Sequence, residues 1–158
     1  THEVHCPSVE LNLIWNEKIF LLQKAYKINP FNSDFFKWID AGICSYRNTP
    51  PPNKLFPNIN TLNNLPKDKF IYSSSDNYIE NMVTNNNYYH SITGTSYILH
   101  KNIIDNFVNL YIKYMDKLVD INNIWTDQIL LTHIYKDNKE LFFKMCDGYG
   151  TTVELLYK

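Results

Sequence analysis

The sequence predicts an α/β layered domain in which helices cover a mixed sheet. Helical hydrophobic spacing over residues 13–28 and 102–121, and short aromatic and β-branched runs alternating with those segments, carry the prediction. At 158 residues and 44% apolar side chains the chain can bury one sizeable core, so 1–158 is expected as a single domain.

The elements follow in order. Trp15, Ile19, Leu22 and Tyr26 fall at i, i+4, i+7 and i+11, with Lys18, Gln23 and Lys27 mostly elsewhere. That spacing predicts an amphipathic helix over 13–28, stopped by Asn29-Pro30. The run Phe35-Phe36-Lys37-Trp38-Ile39 suits a central strand buried on both faces. Residues 45–66, with Pro50-Pro51-Pro52, Pro57, Pro66 and many asparagines, read as a long loop, a lid or rim. A strand is expected over 69–72. A turn at Asn85-Asn86-Asn87 then leads into a strand pair over 88–99, interrupted at Gly94-Thr95. Ile103, Phe107, Leu110, Tyr111, Tyr114 and Leu118 mark the longest helix, over 102–121, placed against the sheet. Thr126 can cap a short helix over 127–135, and 141–145 forms a last strand before Asp147-Gly148-Tyr149-Gly150.

Composition excludes several classes of function. Fifteen basic against sixteen acidic residues, without long like-charge runs, give no footprint for nucleic acid. No apolar stretch approaches the roughly 20 residues of a bilayer crossing, and THEVHCPSVE lacks the pattern of a signal peptide. Cys6, Cys44 and Cys146 are widely spaced, without a CxxC pair, so reduced thiols in a cytoplasm-like compartment are expected. There is no N-x-[ST] sequon with a permitted middle residue, no G-x-S-x-G elbow, no P-loop and no GxGxxG. The abundance of Asn, Ile, Lys and Tyr, with Arg47 the one arginine, reflects codon choice in an AT-rich genome.

Asp40-Ala41-Gly42 is the first candidate for chemistry. A carboxylate ending a hydrophobic strand is either a solvated turn residue or a ligand for Mn²⁺ or Mg²⁺, with Gly42 letting a diphosphate near the backbone. Asp127-Gln128 stands at a helix start, where an acid serves as a favourable first-turn residue or meets substrate. His90 can ligate a cation or touch phosphate, or simply pack beside Tyr88 and Tyr89. Gly94 and Thr95 either admit a sugar to the backbone or mark a bulge. Trp38 and Trp125 can stack on a sugar face, but for Trp38 filling the core is the better reading. His2, His5, His100 and His133 form no metal-ligating pattern.

Several short segments, in order, carry a resemblance: Ile14-Trp15-Asn16-Glu17-Lys18, Asn29-Pro30-Phe31, Phe36-Lys37-Trp38-Ile39-Asp40-Ala41-Gly42, His90-Ser91-Ile92-Thr93-Gly94-Thr95 and Asp127-Gln128. The chain resembles the HtrL/YibB family of glycosyltransferase-like proteins over roughly residues 6–135. The resemblance implies a Rossmann-like fold of the GT-A type and transfer of a sugar from a nucleotide donor, a UDP-sugar foremost, to a hydroxyl acceptor. It gives Asp40 the role of the DxD metal motif, although one acid stands here where that motif has two. Asp127 becomes the general base of an inverting reaction or a sugar-holding residue of a retaining one, and Gln128 a partner for hydroxyls. The resemblance also implies that the chain starts after an amino-terminal βαβ portion. A carbohydrate- or protein-binding module that keeps the fold without catalysis is the alternative.

Overall fold

The computed structural model describes residues 6–43, 45–46, 48–74, 92–120, 124 and 126–158. Helix α1 (Val9–Ile28) starts four residues before the predicted position and is capped by Ser8, whose hydroxyl accepts from the Leu11 amide. It ends at Asn29, left-handed at φ 31°, whose amide closes on the Ala25 carbonyl. Strand β1 (Phe35–Ile39) follows, then a short helix α2 (Ile59–Asn63), strand β2 (Phe70–Ser74) and strand β3 (Ser96–His100). Helices α3 (Ile104–Asp120) and α4 (Asp127–Asp137) precede strand β4 (Phe142–Asp147) and helix α5 (Thr151–Leu155). The predicted α/β class and mixed sheet hold. Helix α2 falls inside the expected 45–66 loop and α5 beyond the last expected strand, because five residues carry too little periodicity to be seen. The Asn85-Asn86-Asn87 turn and the first half of the 88–99 strand pair lie outside the described residues.

The sheet order is β1-β3-β2-β4. β3 runs antiparallel to both β1 and β2, while β4 is parallel to β2. Strands β1, β2 and β4 therefore point the same way, and their carboxyl ends, at Asp40, Ser74 and Asp147, share one edge. The expectation of β1 as a central strand buried on both faces is corrected: among the described residues it lies at the sheet's edge and is only half-buried. Four aromatic or branched residues around Lys37 suit an edge strand too when one face meets a helix and the other a smaller layer.

Alternation divides the side chains between two cores. Phe70, Tyr72, Tyr97 and Leu99 face the larger one, with Ile19 and Leu22 of α1, Phe107, Val108, Tyr111 and Leu118 of α3, and Ile129, Leu130, Leu131 and Ile134 of α4. Its centre is Phe70, whose ring lies 4.9 Å from Tyr97 and 4.6 Å from Phe107, both stacked. Ile71 and Ile98 face the other way onto Leu65 and Leu156. Among the described residues no helix is long and apolar enough to cross a membrane.

The smaller layer holds an unusual group. Lys37 donates to Ser96 Oγ at 2.5 Å and to Thr152 Oγ1 at 2.7 Å, and the two hydroxyls share a hydrogen bond of 2.6 Å. Burial lowers the Lys37 ammonium from 10.5 to about 8. The same burial pushes the nearby Cys146 thiol up to about 11. The unfolded chain then holds more protons on Lys37 between about 8 and 10.5, so this residue's contribution to stability rises with pH across that window. In Lys37→Met the positive slope is expected to vanish, with a difference from wild type of up to about 3 kcal/mol between the ends of the window, at about 1.4 kcal/mol per pH unit. Urea unfolding of both chains at a series of pH values measures it; parallel pH profiles contradict it.

Candidate functional site

The carboxyl end of β1, the turn before β3 and the start of α4 meet around a polar cavity of about 270 Å³. Trp15, Lys18, Asp40, Gly94, Thr95, Thr126, Asp127, Gln128 and Tyr149 line it. The strand pairing continues one step past β1, the Asp40 amide donating to the Thr95 carbonyl at 2.9 Å, which fixes Asp40 beside the Gly94 turn. Deeper in, the Thr93 amide donates to the Ser73 carbonyl at 3.0 Å and the two side-chain hydroxyls bond at 2.7 Å, pinning that turn to the end of β2.

Lys18 is the centre of the site. Its Nζ donates to Asp40 Oδ2 at 3.1 Å and to the Gly94 carbonyl at 3.0 Å. Asp127 Oδ2 lies 3.1 Å from the same nitrogen. That last contact is a buried ion pair, and Oδ2 makes no further contact of hydrogen-bond geometry. The Lys18 and Asp127 side chains are each 7% exposed and that of Asp40 27%, so water reaches the arrangement through Asp40. Periodicity had placed Lys18 away from the apolar face. It is instead among the buried residues of α1, its charge compensated where the helix crosses the end of β1.

Neighbouring groups orient each acid. Trp38 Nε1–H donates to Asp40 Oδ1 at 2.6 Å, so the indole serves as a positioning group as well as packing against the core. Thr126 caps α4 as expected, its hydroxyl accepting from the Gln128 amide at 2.9 Å, and Asp127 Oδ1 accepts from the same amide at 3.0 Å. Burial pushes the Asp127 carboxyl above the ordinary aspartate range; the charge of Lys18 opposes the shift without cancelling it. Thr95 Oγ1 is buried without a hydrogen-bond partner at the cavity wall.

The Trp15-Asn16-Glu17-Lys18 segment divides its duties. Trp15 lines the cavity rather than filling the core. Asn16, buried, donates to the Asn12 carbonyl at 3.0 Å and accepts from Tyr111 OH at 2.9 Å, locking α1 to α3 so that Lys18 reaches the sheet edge.

The geometry brings together Asp40, Gly94, Thr95, Asp127 and Gln128 from the predicted set. Gly42 is not on the cavity wall, and a side chain there would meet no atom within 4 Å. His90 and Trp125 lie outside the described residues. Sequence reasoning missed Trp15, Lys18 and Tyr149 as site residues; the i, i+3 spacing of Trp15 and Lys18, which puts both on one side of a helix turn, was the available signal.

A family model described as "Bacterial protein of unknown function (HtrL_YibB)" matches residues 2–153. The chain belongs to that family. No curated protein and no solved structure gives a match. The family's description names no activity, so chemistry must be argued from the residues of this HtrL/YibB chain.

Oxygen donors such as Asp40 and Asp127 suit Mn²⁺ or Mg²⁺ in kind. Their placement does not: the point on which both carboxylates converge holds the Lys18 ammonium. Among the described residues no three His, Cys, Asp or Glu side chains gather as a ligand set. The residues as arranged do not offer an open cation site, and no step is drawn through a metal.

Gly94 is required by contact. A Cβ there would stand 2.5 Å from Asp127 Oδ2 and 2.8 Å from Oδ1, so Asp127 would have to leave Lys18. Gly94→Ala is expected to destabilise the fold by at least about 3 kcal/mol through overpacking and loss of the ion pair. Chemical denaturation checks this; a variant as stable as wild type would show that the Asp127 carboxylate is not held where described.

Proposed function

We propose that this cavity binds a sugar and that the protein transfers it from a nucleotide donor to a hydroxyl acceptor. The observation that carries the reading is the wall itself: two carboxylates, a carboxamide and threonine hydroxyls interleaved with Trp15 and Tyr149 at the carboxyl edge of codirectional strands. Sugars present hydroxyls that donate to carboxylates and C–H faces that pack on aromatic rings, and sheets of this kind take ligands at that edge.

Within this reading Asp127 is the general base. Asp127 lines the cavity, and a carboxyl pushed upward by burial is a stronger base than an ordinary aspartate. The acceptor O–H would give its proton to Oδ2 as its oxygen attacks the anomeric carbon and the bond to the donor phosphate breaks. Gln128 and Thr95 would hold hydroxyls of the bound sugar. Asp40, tied by Trp38 and Lys18, would fix sugar orientation.

A second reading, a carbohydrate-binding module without turnover, is supported by the same wall and by the ion pairing of both acids with Lys18. Calorimetry with a panel of UDP-sugars, followed by donor-consumption assays, separates the two. If the protein is a transferase, Asp127→Asn lowers turnover by about 100- to 10,000-fold while donor binding persists. In the wild-type chain activity should fall as pH drops through the raised carboxyl range of Asp127, because the base must be ionised. Absence of heat with every donor sinks the transfer reading. Binding without consumption of any donor favours the module.

A further inference from the structure

We infer that the ammonium of Lys18 is the resident cation of this site and fills the place that a divalent metal would take between Asp40 and Asp127. Its consequence for catalysis rests on the transfer reading above; its placement does not.

Three oxygens from three separate parts of the chain surround Nζ: Asp40 Oδ2 at 3.1 Å, Asp127 Oδ2 at 3.1 Å and the Gly94 carbonyl at 3.0 Å. Carboxylate and carbonyl oxygens are also what a hard divalent cation seeks, at the shorter distances of about 2.0–2.2 Å. An ammonium and such an ion cannot share that point. Lys18 is 5% exposed and is carried there by a helix that Asn16 and Tyr111 lock to α3. A metal could enter only if Lys18 withdrew, leaving a buried unpaired charge, which is the costly outcome for a buried ion pair.

With Lys18 in place the two acids and the lysine sum to one net negative charge rather than two, so a donor diphosphate approaching the cavity meets less repulsion. Asp127 stays oriented by the Lys18 ammonium on Oδ2 and the Gln128 amide on Oδ1. Lys18 is thus a positioning residue, and transfer at this site proceeds without added divalent cation.

Mn²⁺ is the probe, because its unpaired electrons broaden nearby proton resonances. The Trp38 indole N–H, hydrogen-bonded to Asp40 Oδ1, is the reporter, assigned by comparison with Trp38→Phe. In the wild-type chain that resonance should stay sharp at millimolar Mn²⁺. In Lys18→Met it should broaden at Mn²⁺ concentrations lower by at least about tenfold, and Asp40→Asn on that background should abolish the effect. Selective broadening of the wild-type resonance, or equal Mn²⁺ response in both chains including none in either, overturns the inference. Should Lys18→Met not fold, the wild-type titration decides alone: sharp supports, broadened overturns. Neither titration contains a nucleotide sugar. A broadened wild-type signal would leave glycosyl transfer standing with a metal, and failure of every donor to bind would leave the place of Lys18 intact.

Discussion

A single buried ammonium joins the parts of this protein that distance in sequence keeps apart. Lys18 belongs to α1, Asp40 follows β1, Gly94 precedes β3 and Asp127 opens α4, and all converge within 3.1 Å of one nitrogen. Desolvating three charges is expensive, and the mutual attraction repays it only while each partner is present; removing one from such a buried set costs about 3–5 kcal/mol. The arrangement therefore acts as a register device, since a slip of α1 along the sheet would strand a charge. The same contact explains why glycine stands at position 94, where the Asp127 carboxylate leaves no volume for a Cβ.

The scaffold serves this point by simple means. Three codirectional strands bring their ends to one edge, while β3, running against them, supplies the turn that closes the cavity. The stacked rings about Phe70 give the sheet a stiff apolar face against α1, α3 and α4. The opposite face is smaller and carries Lys37 on two hydroxyls, a buried cation whose ionisation the fold penalises. That layer is tied to the loop after β1 through Ser45, which donates to the Gly150 carbonyl at 2.8 Å. Gly150 itself, at φ 82°, has Ser45 Oγ 2.5 Å from where a Cβ would be, so the approach depends on glycine.

Chemically, the two acids are not equivalent. Asp40 is the more exposed and is held on both oxygens, by Trp38 and by Lys18. Asp127 is buried, its carboxyl pushed upward, with Oδ2 ion-paired to Lys18 and Oδ1 accepting from the Gln128 amide. In the proposed transfer reading, Asp40 would be the orienting partner and Asp127 the proton-accepting one.

The order of the main elements could be read from the chain itself, because each rests on local physics. Hydrophobic spacing marks α1 and α3, Thr126 marks the start of α4, and runs of aromatic and branched residues mark the strands. Asp40 and Asp127 stood out for the same reason, one at the end of an apolar run and the other at a helix start. Strand order, the edge position of β1 and the helices α2 and α5 were settled only by tertiary packing, since pairing partners and five-residue turns leave no periodic trace. The i, i+3 spacing sets Lys18 beside Trp15, yet a lysine on a helix reads as solvated until the fold brings two carboxylates and a carbonyl to meet it. The sequence determined which side chains are present to bear charge; the folded structure decided which of them share a cavity, because attraction between buried charges acts through space rather than along the chain.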